Sequence, residues 1–129
     1  MPVYSHPYDS RDYHPAMPVA RFALLSKLRG QSDLEMIGII DSAADATMLS
    51  SDILESIGAR YAQTRHMRGV TGPPIPVDTY YVTISFGPYI IYGIEVVALP
   101  IGSEPILGRD VLNQLELILN GPAQELWLA

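Results

Sequence analysis

Cysteine is absent from the 129 residues, which excludes disulfides, thiolate metal centres and cysteine nucleophiles and leaves the redox compartment open. Histidine occurs three times, at His6, His14 and His66, with no spacing that suggests a metal cluster, so no metal or other cofactor is expected. Basic residues are also few. Eight Lys and Arg against fourteen Asp and Glu give a net charge of −6, and no basic run exists to neutralise a phosphate backbone, so nucleic acid is not an expected partner. Long apolar runs are missing as well: the longest, Tyr89 to Ile101, is broken by Gly93, Glu95 and Pro100 and falls short of the ~20 residues that cross a bilayer. The first ten residues lack the basic start and apolar run of a signal peptide, and a cytoplasmic location away from membranes is the expectation.

What is present is the composition of one globular domain, 48 % hydrophobic and 17 % charged, too apolar for global disorder. Residues 1–17 carry Pro2, Pro7 and Pro15 among scattered Tyr and His without periodicity, and read as a flexible N-terminal arm before a domain over 18–129. From Pro18 onward the texture is of short β-rich runs cut by turn residues, the pattern of an all-β domain. Val19 to Leu25 and Leu34 to Ile40 are candidate strands. Asp52 to Gly58 reads as a short helix, with Asp52 and Glu55 at capping-box spacing and Gly58 as its stop. Arg65 to Val70 and Val77 to Phe86 form a candidate hairpin around Thr71-Gly72-Pro73-Pro74, and alternation of Tyr80, Val82, Ile84 and Phe86 against Tyr81, Thr83 and Ser85 marks a half-buried strand. Further strands are expected at Ile90 to Leu99, Glu116 to Asn120 and Glu125 to Leu128, with a second short helix at Val111 to Leu115.

Two segments place a polar residue between an apolar strand and a helix. They are Ile39-Ile40-Asp41-Ser42-Ala43-Ala44-Asp45-Ala46-Thr47 and Pro105-Ile106-Leu107-Gly108-Arg109-Asp110. An ionised Asp41 straight after a nearly apolar run is costly to bury unless something pairs with it. For an isolated Asp-Ser pair an exposed turn is the ordinary explanation, but the second segment changes the balance.

With these two signatures, and with His66-Met67-Arg68-Gly69-Val70-Thr71-Gly72 between them, the chain from about Val19 to Leu128 resembles the retropepsin family of retroviral-type aspartic proteases. The resemblance implies a small closed β-barrel with one or two short helices, active as a two-fold homodimer that hydrolyses peptide bonds in extended polypeptides. Asp41 would be the catalytic residue, one from each chain, and Ser42, Ala43 and Ala44 the active-site loop. Two such carboxylates side by side cannot both ionise cheaply, so they share a proton; one then activates a water while the other polarises the scissile carbonyl. The resemblance further implies a structural ion pair of Asp45 with Arg109, a mobile flap over Met67, Arg68, Gly69, Val70, Thr71 and Gly72, and subsite positions at Ile39, Met48 and Ile106 that favour apolar substrate side chains. Glu125 to Leu128 would be the terminal strand that interleaves with its partner, although Trp127 reads equally as a core residue of one subunit.

The sequence departs from the family pattern at Ala43, where glycine is usual. A Cβ there matters if the loop needs a left-handed φ or a close approach of substrate. Two readings therefore stand beside the endopeptidase: a catalytically silent dimerisation or peptide-binding module on the same fold, motivated by Ala43, and an unrelated small barrel in which the motifs coincide by chance.

Overall fold

The computed structural model describes residues 2–69 and 71–129. Val19–Leu24 (β2) buries Ala20, Phe22 and Leu24 on one face, with Arg21 outward, and pairs antiparallel with Leu34–Ile40 (β3) from Val19↔Ile39 to Leu24↔Leu34. After the Asp41 loop come Met48–Ser50 (β4) and the helix Ser51–Ser56 (α1). The long strands follow: Arg60–Met67 (β5), Ile75–Phe86 (β6) and Tyr89–Leu99 (β7). Ile106–Leu107 (β8) leads into the single turn of helix Arg109–Leu112 (α2). Leu117–Asn120 (β9) and Glu125–Leu128 (β10) end the chain.

The main sheet runs β2-β3-β8-β4-β7-β6-β5, and β2 also pairs with β6 through Ala23↔Ser85 and Leu24↔Ile84. That pairing closes β2, β3, β8, β4, β7 and β6 into a barrel and leaves β5 outside it on β6. β6, at twelve residues the longest strand, pairs with β5, β7 and β2; its register against β7 shifts between Val82 and Ile84, where the extra residue lies on β7. The barrel is filled by fully buried Leu24, Leu49, Ile84, Phe86 and Leu107, each worth about 1.5–3 kcal/mol on burial. The expected all-β barrel with two short helices is what the chain forms.

The hairpin arms begin earlier than expected, at Arg60 and Ile75 and not at Arg65 and Val77, and three further expectations change. The Asp52/Glu55 capping box does not form: the helix starts one residue earlier with Ser50 at its N-cap and no side-chain cap bond, and Asp52 instead places its charge in the first turn, where the helix dipole favours it. Gly58 does end the helix, at φ 67°. The second helix begins at Arg109 and stops at Leu112, earlier than Val111 to Leu115.

The third change is at the N-terminus, where Tyr4–Pro7 is a strand (β1) and not an aperiodic arm. It pairs antiparallel with β10, from Tyr4↔Leu128 to Pro7↔Glu125. Tyr4 is the reason: its hydroxyl accepts the Arg21 N–H at 2.7 Å and donates to the Arg21 carbonyl at 3.0 Å, while its ring lies tilted against Phe86 at 5.4 Å between centroids. Asp9 and Met17 then exchange two backbone hydrogen bonds that close the loop leading to β2. β10 therefore lies between β1 and β9 in a three-stranded sheet of its own chain. Leu126 and Leu128 fill the core beneath it, and Trp127 points to the opposite face, where it borders a small cavity with Pro2 and Ile118.

Candidate active site

β3 runs parallel to β8 through Ile39↔Ile106 and Ile40↔Leu107, and the Asp41 N–H continues that ladder to the Leu107 carbonyl at 3.0 Å. The chain then turns tightly. The Ala44 N–H returns to the Asp41 carbonyl at 3.1 Å, and the Asp41 carboxylate accepts the Ala43 N–H at 3.0 Å. Asp41 is half-buried, Ser42 and Ala43 are exposed, and Ala44 is buried. The Cβ of Ala43 causes no backbone strain, because Gln124 is the only non-glycine with a positive φ among the described residues.

The second signature holds this loop from behind. Arg109 donates through Nη1 to the carbonyls of Ser42 at 3.1 Å and Ala43 at 3.3 Å, and Nη2 pairs with Asp45. Its own N–H bonds the Ala44 carbonyl at 2.9 Å. With Arg109 44 % and Asp45 91 % exposed in their side chains, the ion pair is worth about 0–1 kcal/mol, so its effect is to place the loop. Gly108 passes so close to the chain that a Cβ on it would lie 2.6 Å from the Ala46 carbonyl carbon and oxygen. No other residue type fits there without movement.

Beneath these contacts is a pair that spacing alone did not single out. Thr47 is fully buried; its hydroxyl donates to the Asp110 carboxylate at 2.7 Å and accepts the Gly108 N–H at 3.1 Å, and its N–H faces both Asp110 oxygens at 3.0 Å. Both residues lie within the quoted signatures without a role of their own. The available signal was a polar residue set between Ala46 and the apolar Met48-Leu49.

The expected flap is the end of the β5–β6 hairpin, whose last pair is Met67↔Ile75. Arg68, Gly69, Thr71 and Gly72 are exposed beyond it, with Gly72 at φ 88°; Val70 lies outside the described residues. At the base of the hairpin Glu95 accepts bonds from Arg65 Nε at 2.6 Å and Thr79 Oγ1 at 2.6 Å, which together push its carboxyl down to about 2. The opposing shift of Arg65 is upward, from the same pair.

Between hairpin and Asp41 loop is a cleft of about 520 Å³, bordered by Ala43, Asp45, Met48, Met67, Arg68 and Val97 among others. Of the three expected subsite residues, Met48 faces it. Ile39 lines a separate cavity of about 230 Å³ with Asp12 and Glu104, and Ile106 is half-buried between β3 and β4. Among the described residues, no group of three or more His, Cys, Asp or Glu side chains converges as a metal site would require, and no helix is long and apolar enough to cross a membrane.

A family model described as aspartyl protease matches residues 28–111, which include both signatures and the hairpin. Among solved structures, the EIAV protease complexed with the inhibitor HBY-793 is similar with a TM-score of 0.50 at 20 % identity, over 81 % of this chain and 90 % of that one. A retropepsin-like aspartic protease from Rickettsia conorii is similar with a TM-score of 0.52 at 12 % identity, over 87 % and 93 % of the two chains. The barrel is thus of the retropepsin type. No curated protein matches the chain.

Proposed function

The chain belongs to the aspartyl protease family, and from that premise we propose that it is an aspartic endopeptidase acting as a homodimer, with Asp41 of each copy in one shared site. One observation carries this reading. Asp41 leaves the barrel half-exposed on a loop that Leu107, Arg109 and its own Ala43 N–H hold in place, beside a cleft roofed by a hairpin. A single carboxylate lacks the paired acid and base that water attack on an amide needs, and the chain carries the Asp-Ser signature once.

In the proposed mechanism, two Asp41 carboxyls share one proton because two negative charges at close range repel. The ionised member takes a proton from water, whose oxygen attacks the scissile carbonyl carbon. The protonated member gives its proton to the carbonyl oxygen, forming a neutral tetrahedral diol. Collapse of the diol breaks the C–N bond; a proton moves to the leaving nitrogen, and the dyad returns to its singly protonated state. Ser42, whose hydroxyl is exposed and has no hydrogen-bond partner among the described residues, would bond across to the second loop. The hairpin would close over an extended peptide, adding backbone hydrogen bonds and excluding water. The absence of backbone strain at Ala43 answers one of the two grounds for a silent module; the other, crowding of substrate by its Cβ, is what the cleavage test addresses.

Mass-spectrometric mapping of cuts in a diverse peptide mixture between about pH 4 and 7 tests the proposal. Cuts by the wild-type protein that vanish in Asp41→Asn are expected. Cuts that persist in Asp41→Asn, or none from a protein shown to be dimeric, overturn it.

A further inference from the structure

We propose that the cleft between the Asp41 loop and the hairpin selects substrates carrying an acidic side chain, and that Arg68 is the residue that reads it. This rests on the protease reading for its substrate, though not for its geometry.

The guanidiniums around the cleft are not all paired. Arg65 and Arg68 stand in the hairpin wall, Asp45 stands in the opposite wall, and Arg109 lies behind Asp45. Arg65 is satisfied by Glu95 and Arg109 by Asp45. Arg68 is exposed and has no carboxylate within ion-pair distance among the described residues. Of the three guanidiniums, Arg68 alone thus stands without a carboxylate partner among the described residues, in the wall across from the Asp41 loop, on a protein whose net charge is −6. The overall charge acts at long range and is screened within about 8–10 Å in ordinary salt, whereas a group in the cleft meets the Arg68 guanidinium at contact range.

The rest of the cleft suits the same ligand. Met48, Val77 and Val97 offer an apolar surface for the methylenes of a Glu side chain, and Arg68 presents a planar fork to its carboxylate. Arg68 follows directly on Met67, the last paired residue of β5, so it would move with the hairpin as it closes. Discrimination would then be applied when substrate is enclosed.

The test is a set of peptides identical except for Glu, Gln or Lys at one position, scanned through the residues around the cleaved bond. An exposed ion pair predicts a Glu over Gln preference of about two- to fivefold in kcat/KM at one position in low salt, falling toward unity at about 0.5 M salt. Arg68→Ala should erase the ratio, and Arg68→Glu should invert it toward Lys. No position favouring Glu, or a preference that survives Arg68→Ala, overturns the proposal. The same peptides titrated onto Asp41→Asn protein by fluorescence anisotropy separate the two readings. A Glu preference in binding that requires Arg68, without cleavage by the wild type, upholds the cleft and removes the protease; binding without that preference, or no binding of any peptide, overturns the cleft.

Discussion

Replacing Gly108 by Ala tests whether the second signature is a steric requirement. The backbone of Gly108 is extended, at φ −96° and ψ −173°, so alanine suffers no torsional penalty there. The cost is contact: the new Cβ would sit 2.6 Å from the Ala46 carbonyl group and 3.0 Å from the Ala44 oxygen, and ordinary contact begins near 3.4 Å. One strand end must therefore move by roughly 0.8 Å, in a core where overpacking costs about 1–3 kcal/mol. The same movement stretches the Gly108 bond to Thr47 and the Arg109 bond to Ala44, at about 1 kcal/mol each. A loss of about 3–5 kcal/mol follows, or a fall in Tm of about 12–20 °C for a domain of this size. Urea unfolding, followed by far-UV circular dichroism and by the fluorescence of the single Trp127, measures it. Gly121→Ala is the control: nothing lies within 4 Å and φ is not positive, so its effect should stay within about 0.5 kcal/mol. Gly108→Ala within about 1 kcal/mol of wild type would refute the close-approach argument.

Arg109→Lys keeps the charge opposite Asp45 but gives up the fork that reaches Ser42 and Ala43 together. Because the ion pair is exposed, Tm should move by no more than about 3 °C, while kcat falls about tenfold with KM little changed as Asp41 loses its placement; unchanged kcat contradicts the positioning role. Glu95 predicts an acid-dependent term: its carboxyl is held near 2 when folded against 4.5 in the reference state. A depressed folded value contributes stability above about pH 4.5 and loses it as pH falls toward about 2. Urea titrations should therefore show wild type more stable than Glu95→Gln at neutral pH, with the difference closing across that window. A pH-independent difference would mean that packing, not the charge, is what the substitution removes.

Much of the site was legible because its constraints are local. Asp41 after Ile39-Ile40, and Gly108-Arg109 after Ile106-Leu107, each follow an apolar strand directly, and the parallel pairing of those strands brings the two signatures together. The barrel strands were legible for the same reason, since period-two alternation in β6 is a property of neighbours. What depends on distant chain was not. Four residues between Pro2 and Pro7 are too few to show a period, and the partner of β1 lies at the other end of the sequence. The Thr47–Asp110 bond joins residues that no spacing rule connects. Ile39 was expected at a subsite from the resemblance, and alternation alone does not say which side of β3 it faces; within one chain its side chain borders the cavity with Asp12 and Glu104.

The closure of β1 on β10 also changes how two copies are able to meet. Interleaved terminal strands require a free edge on β10, and both of its edges are filled from its own chain. Displacing β1 would cost the two Tyr4 hydrogen bonds and the packing of its ring on Phe86; displacing β9 would uncover Leu126 and Leu128, which are fully buried. A second copy is left with the outer edges of β1 and β9 and the open face of the sheet. β1 is a poor edge, since Pro7 has no N–H to offer and the strand is four residues long. The open face is better suited, for Ile118, 43 % exposed, lies across from Trp127 and borders the same cavity, and an isologous contact there would bury the same apolar residues from both copies. If the homodimer proposed above keeps this sheet, each subunit would complete it within its own chain, and the pairing of the two Asp41 loops would then be a separate equilibrium, governed by protein concentration and not by the folding of either chain.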